Sequence, residues 1–255
     1  MKLEEFSQDD FERASRRLVR SLTRGKKTSS QPKAILLGGQ SGAGKTTIHR
    51  IKQREFQGNI IVIDGDSYRS FHPNYLTLQE KYGKDSVNYT KVFAGQMVEY
   101  LVDELSKQGY HLLIEGTLRT TEVPRKTAQL LTTRDYQVSL ALIATKPELS
   151  YISTLIRYEE LYAIDPSQAR VTPKAHHDGI VEHLVDNLQE LEKDKLFSQI
   201  QIYQRDQSCV YDSQVDEISA TEVLHECLFG KCNKVEKEML KMGQERLREL
   251  MEMKK

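Results

Sequence analysis

The chain has 255 residues, enough for one large domain or one domain with appendages. Hydrophobic residues make up 38% and charged residues 29%, with 37 Lys+Arg against 37 Asp+Glu, so a core can form but the even balance argues against a generic nucleic-acid surface. No run reaches the ~20 apolar residues of a membrane helix, no apolar secretion signal is expected at the N-terminus, and Cys209, Cys227 and Cys232 form neither a disulfide framework nor a zinc spacing, which fits a reducing cytoplasm.

Residues 1–30 open with Phe11, Ala14, Leu18 and Leu22 at helical spacing, with Arg13, Arg16, Arg17 and Arg20 between them. This predicts an amphipathic lead-in helix capped by Ser7 or Asp9. Lys26 to Pro32 reads as a loop. Ala34-Ile35-Leu36-Leu37 reads as a buried parallel strand. Gly39-Gln40-Ser41-Gly42-Ala43-Gly44-Lys45-Thr46 then matches G-x-x-x-x-G-K-[ST], and Thr47 to Gln53 can continue as a helix. Strand, glycine loop and helix together are what a phosphate site needs. The glycines let backbone N–H groups converge on phosphate oxygens, and the helix N-terminus adds partial positive charge. Residues 39–47 are therefore the expected nucleotide-binding set, with Lys45 reaching the β and γ phosphates and the Thr46 hydroxyl binding Mg²⁺. A glycine turn with a chance lysine would not come with both flanks correct.

A second apolar run, Asn59 to Ile63, ends in Asp64-Gly65-Asp66. Ligands of open α/β sheets sit outside the carboxyl ends of strands, which makes Asp66 a candidate to act on a phosphate or hydroxyl. A plain Asp-Gly turn is the competing reading. Tyr68 to Asn88 has no clear period and reads as loop or short helices lining a substrate pocket. Val87 to Gln108 is a helix by its apolar spacing, stopped by Gly109. Tyr110 to Thr117 is a third strand closing in Glu115, the pattern of a carboxylate that holds Mg²⁺, directly or through water, or orients the nucleophile. Pro124 to Thr133 reads as a helix and Tyr136 to Ala144 as a fourth strand.

Thr145-Lys146-Pro147-Glu148 lacks the Asp with which GTPases read guanine, so it is expected to be a strand exit with Pro147 in the first helical turn. A helix from Leu149 to Tyr162 carries Arg157, a loop carries Arg170, and Thr172 as cap with Pro173 starts the next helix. Residues 155–180 thus have the make-up of a lid that delivers two arginines to a moving phosphoryl group, although surface ion pairing is the usual fate of an arginine. His176 and His177 face different directions on a helix and do not form a shared metal site. Val181 to Leu196 is helical, Gln199 to Tyr203 a fifth strand, Cys209 to Tyr211 a short edge piece, Thr221 to Phe229 helical, and Lys231 to Lys255 a long charged helix packed across the body. There are no internal repeats. The expectation is one domain, 1–255, with an α/β P-loop kinase fold: a mostly parallel central sheet flanked by helices, with added N- and C-terminal helices.

Residues 39–46, the strand end Ile63-Asp64-Gly65-Asp66-Ser67-Tyr68-Arg69, the strand end Glu115-Gly116-Thr117, and the spaced pair Arg157 and Arg170 together resemble the zeta toxin family, over essentially the whole chain. The resemblance implies a toxin of a toxin–antitoxin pair: a kinase using ATP and Mg²⁺ to phosphorylate the 3′-hydroxyl of UDP-N-acetylglucosamine and so block cell-wall synthesis. It implies Lys45 on the phosphates, Thr46 on the metal, Asp66 as general base, Glu115 supporting either metal or sugar, Arg157 and Arg170 on the transferring phosphoryl group, and Glu99 and Thr117 lining the sugar-nucleotide pocket. The implied partner is a small helical antitoxin covering the nucleotide site; neither nucleic acid nor membrane is expected. A kinase of another small-molecule hydroxyl and a nucleotide-dependent binding module are the rival readings.

Overall fold

The computed structural model describes residues 2–165, 169 and 171–253. One six-stranded sheet organises the chain, built from β1 (Lys33–Gly38), β2 (Ile61–Ile63), β3 (Leu112–Glu115), β4 (Gln137–Ile143), β5 (Gln199–Tyr203) and β6 (Cys209–Asp212). The order is β2-β3-β1-β4-β5-β6; the first five strands run parallel, and β6 closes the edge antiparallel to β5. The central strands are apolar on both faces because helices cover both. Along β1, Ala34 and Leu36 enter one core with Leu112, Ile114, Leu140 and Leu184, whereas Ile35 and Leu37 enter the other with Ile48 and Ile143. That alternation is the period of two of a strand.

The lead-in helix α1 (Gln8–Thr23) is capped by Ser7, whose Oγ accepts from Asp10 N at 3.1 Å, while Asp10 Oδ2 accepts from Ser7 N at 3.3 Å. Phe6 and Phe11 flank this capping box with ring centroids 6.0 Å apart and both pack on Phe93, a hydrophobic staple that ties the helix to the body. After β1 comes α2 (Thr46–Glu55), and after β2 the short α3 (Gly65–Tyr68) and α4 (Tyr75–Tyr82). The helix α5 (Val87–Lys107) ends in a Schellman arrangement: Gly109 N donates to Ser106 O and Tyr110 N to Leu105 O, with Gly109 at φ 78°. A residue with a Cβ is penalised at that φ, which explains why the helix stops there.

Next come α6 (Glu122–Thr132), α7 (Pro147–Ile164), α8 (Lys174–Lys193), α9 (Ala220–Phe229) and α10 (Lys234–Glu252). Several boundaries differ from expectation, two of them at helix caps. The helix after the 165–173 segment begins at Lys174 with Pro173 in the cap position and no side-chain cap bond, so Thr172 is not its cap. It also runs unbroken through the stretch from Val181. The last helix begins at Lys234, where Asn233 and Glu236 form a capping box. It lies along α7, and Gly243 is where the two helices approach: a Cβ there would sit 3.3 Å from Ile152 Cγ2. No helix among the described residues is long and apolar enough to cross a membrane.

Candidate functional site

Strand order determines which side chains meet. β3 lies between β1 and β2, with Leu37 paired to Glu115 and Ile63 paired to Ile114. The carboxyl ends of the three strands therefore open side by side: the phosphate loop after β1, Glu115 closing β3, and the Asp64–Asp66 turn after β2.

The phosphate loop wraps onto the start of α2, where Thr46 is exposed as the first helical residue. Lys45 is folded back over the loop, its Nζ donating to Gly39 O at 3.1 Å and Gln40 O at 3.4 Å, and lying 3.7 Å from Glu115 Oε1. Gln40 is buried, and its Nε2 donates to Thr145 O at 2.7 Å and Ser150 Oγ at 3.2 Å. Its side chain thus ties the loop to the end of β4 and the start of α7. Gly42 has φ 74°, and a Cβ built on it would lie 2.1 Å from Ser150 O. Both the conformation and the contact with α7 require glycine there.

His49 follows Lys45 by one turn on the same face of α2. Its Nε2 lies 2.8 Å from Glu115 Oε2. Burial pushes the Glu115 carboxyl up, but His49 and Lys45 outweigh it, and its pKa sits below the ordinary 4.5 even with Asp66 pulling the other way. Glu115 is therefore held as a carboxylate. His49 belongs to no motif; its spacing of four from Lys45 is the one signal the residues offer.

Across the cleft, Asp64 caps α3, its Oδ1 accepting from Asp66 N at 3.0 Å. Asp66 is exposed, and its Oδ1 accepts from Arg69 Nε at 2.8 Å. Arg69 is in turn fixed to α5 through Val87 O at 3.0 Å and Thr90 Oγ1 at 3.2 Å. The turn is thus braced, with a carboxylate on its solvent side.

Beside these strand ends lies a cavity of about 640 Å³, lined among others by Glu99, Glu115, Thr117, Arg119, Val123 and Lys126. It joins α5, the end of β3 and the start of α6. Its wall includes Leu118, a non-glycine residue at φ 56° whose carbonyl accepts from Asn187 Nδ2 of α8 at 2.9 Å. Strain of that kind gathers at functional loops. Glu99, Glu115 and Thr117, separated in sequence, thus share one hollow. None of the residues from Tyr68 to Asn88 lines it. Tyr68, His72 and Tyr75 of that stretch are buried, while Ser70, Phe71 and Pro73 line a second hollow against α1.

Arg157 is exposed on α7, on the face where Ser150 and Thr154 rest against Gly42, one turn further along. Arg170 lies outside the described residues. The Thr-Lys pair of residues 145–146 is structural: Thr145 Oγ1 donates to Ala43 O at 2.8 Å, and buried Lys146 Nζ donates to Gly230 O at 2.8 Å and Glu226 O at 3.3 Å, at the end of α9. Neither serves a base. Among the described residues no group of three or more His, Cys, Asp or Glu is arranged to hold a metal. Thr46 and Glu115 remain as oxygen donors beside the loop.

A family model described as "Zeta toxin" matches residues 19–216. The chain is 67% identical over 252 residues to Toxin PezT of Streptococcus pneumoniae serotype 4, spanning 99% of this chain and 100% of that one. It is 41% identical over 227 residues to Toxin zeta of Streptococcus pyogenes, spanning 89% of this chain and 79% of the relative. A solved structure from the PezAT chromosomal toxin–antitoxin system of Streptococcus pneumoniae superposes with TM-score 0.93 at 66% identity, covering 98% of this chain and all of that one. The chain belongs to the zeta toxin family.

Proposed function

We propose that this zeta-family chain is a kinase that transfers the γ-phosphate of ATP to the 3′-hydroxyl of UDP-N-acetylglucosamine, and that it acts in the cytoplasm as the toxin of a toxin–antitoxin pair. The observation that carries the reading is the convergence of Lys45, Glu115 and Asp66 on three adjacent strand ends, beside a cavity of about 640 Å³. A phosphate donor fits one side of that cleft and an alcohol the other.

On the donor side, loop amides and Lys45 bind the triphosphate, and Lys45 leaves Gly39 O and Gln40 O to do so. Oxygen donors suit Mg²⁺, which keeps waters and phosphate oxygens and needs only one or two protein ligands. Thr46 and Glu115 would hold it, and when bound it neutralises charge on the β and γ phosphates. Glu115, kept ionised by His49 and Lys45, is ready for that or for the sugar. On the acceptor side, Glu99 and Thr117 hold the sugar nucleotide. Asp66 accepts the hydroxyl proton as the new phosphorus–oxygen bond forms. Arg157 and Arg170 neutralise the phosphoryl group in flight. Kinship with the PezAT toxin–antitoxin structure supports a small helical antitoxin as partner, seated over the nucleotide site.

The test is a panel of alcohols offered with γ-labelled ATP: UDP-sugars, nucleosides, shikimate and aminoglycosides. Label on UDP-N-acetylglucosamine is expected. Label on another acceptor redirects the substrate assignment, and ATP hydrolysis with no labelled acceptor favours a nucleotide-driven binding module.

A further inference from the structure

Arg205 is a partly buried cation that none of the roles above uses. The turn between β5 and β6 carries Arg205 beneath the phosphate loop. Its Nε donates to Ala43 O at 3.2 Å, and its Nη2 donates to Gly42 O, to Ser153 Oγ at 2.9 Å and to Leu149 O at 3.5 Å. Thr145 Oγ1 supplies a second donor to Ala43 O at 2.8 Å.

The consequence follows from peptide geometry. In a trans peptide the C=O and the next N–H point opposite ways. A loop that turns its N–H groups inward onto an anion must turn its carbonyls outward, into protein. Buried carbonyls without donors are costly. With Ala43 O drawn toward Arg205 and Thr145, the Gly44 N–H is turned to the opposite side of the loop. The planar guanidinium fork reaches two adjacent carbonyls and α7 at once, which a lysine ammonium on a single stem does not match. The fork also adds a permanent positive charge under the cradle.

We propose that Arg205 is a positioning residue for the nucleotide: it holds the Gly42 and Ala43 carbonyls outward and so presets the phosphate loop to receive a polyphosphate. It touches no reacting atom. The proposal rests on the nucleotide-binding reading above.

The experiment is calorimetric titration of MgADP into the full chain, its Arg205→Lys, Arg205→Met and Thr145→Val variants and a Lys45→Ala control, with a thermal melt and a UDP-N-acetylglucosamine titration for each. MgADP affinity is expected to fall about 10-fold in Arg205→Lys, further in Arg205→Met and less in Thr145→Val, losses readable as shifts in Kd. Sugar-nucleotide affinity is expected to stay within about twofold in all three, below what one lost hydrogen bond costs. Unchanged MgADP affinity in Arg205→Lys and Arg205→Met, even with a lowered melting temperature, overturns the proposal and leaves Arg205 a prop of the fold. If Arg205→Met does not fold, Arg205→Lys decides, because it keeps the charge and removes only the planar fork. Absence of Lys45-dependent MgADP binding in the unsubstituted chain overturns the nucleotide reading itself, and this inference with it.

Discussion

His49 Nε2 lies 2.8 Å from Glu115 Oε2, so the helix that begins at the phosphate loop reaches across and holds the acid at the end of the neighbouring strand. Lys45 approaches the other oxygen of the same carboxylate at 3.7 Å. One helical turn therefore grips Glu115 from two positions. The acid is aimed and ionised before any ligand arrives.

Removing that grip should cost catalysis more than stability. His49→Ala is expected to fold and to lose roughly 10-fold in kcat/KM for ATP, the scale of losing a group that orients a ligating carboxylate. Steady-state kinetics with ATP varied at saturating acceptor checks it. Unchanged kinetics would make the contact incidental.

Asp66 stands on the solvent side of a turn braced by Asp64 and by Arg69. Its substitution should therefore leave the fold alone. Asp66→Thr is expected to melt like the unsubstituted chain and bind MgADP normally, but to lose about 10²–10⁴ in phosphoryl transfer, the usual share of a general base. A coupled kinase assay reads it, and retained turnover removes Asp66 from that role.

Gly42 is expected to tolerate no side chain. Gly42→Ala faces a positive φ of 74° and a Cβ 2.1 Å from Ser150 O. The conformation alone costs about 1–2 kcal/mol, and the contact adds to it unless α7 yields. A lowered melting temperature together with weakened MgADP binding is the expected pair of results. A variant that melts and binds like the parent would show the loop to be free to move.

Glu115 makes stability depend on pH. Its folded pKa lies below the ordinary 4.5, so the unfolded chain takes up a proton at this site first as pH falls. The stabilisation is present in full above 4.5 and is lost as pH drops through the lower folded value. Melting curves of the parent and Glu115→Gln, taken from neutral pH downward, should converge below that point. Curves that stay parallel would mean that the carboxylate gains nothing from its partners.

Much of this was legible in the residues, for a physical reason in each case. β1, β3 and β4 are apolar on both faces, so their runs stand out, and the glycine loop is recognisable because its strand and helix flank it. Asp66 and Glu115 could be picked as strand-end acids. Strand order could not be read, and it is the order β2-β3-β1 that makes neighbours of Asp66, Glu115 and Lys45. Arg205 left no trace, since a Gln-Arg-Asp turn at a sheet edge looks like any solvated turn until the edge folds under the loop. Leu118 at φ 56° is equally invisible, because nothing in a leucine announces a left-handed backbone. Nor does the aromatic stretch from Tyr68 announce which of its rings the core takes, as it takes Tyr68, His72 and Tyr75.

The most direct test is a crystal structure with a non-transferable ATP analogue and UDP-N-acetylglucosamine bound together. The account predicts Lys45 moved off Gly39 O onto the phosphates, and the sugar 3′-oxygen about 3 Å from an Asp66 carboxylate oxygen and about 3–3.5 Å from the terminal phosphorus. An Asp66 still turned to Arg69, with no acceptor oxygen between it and that phosphorus, would contradict it.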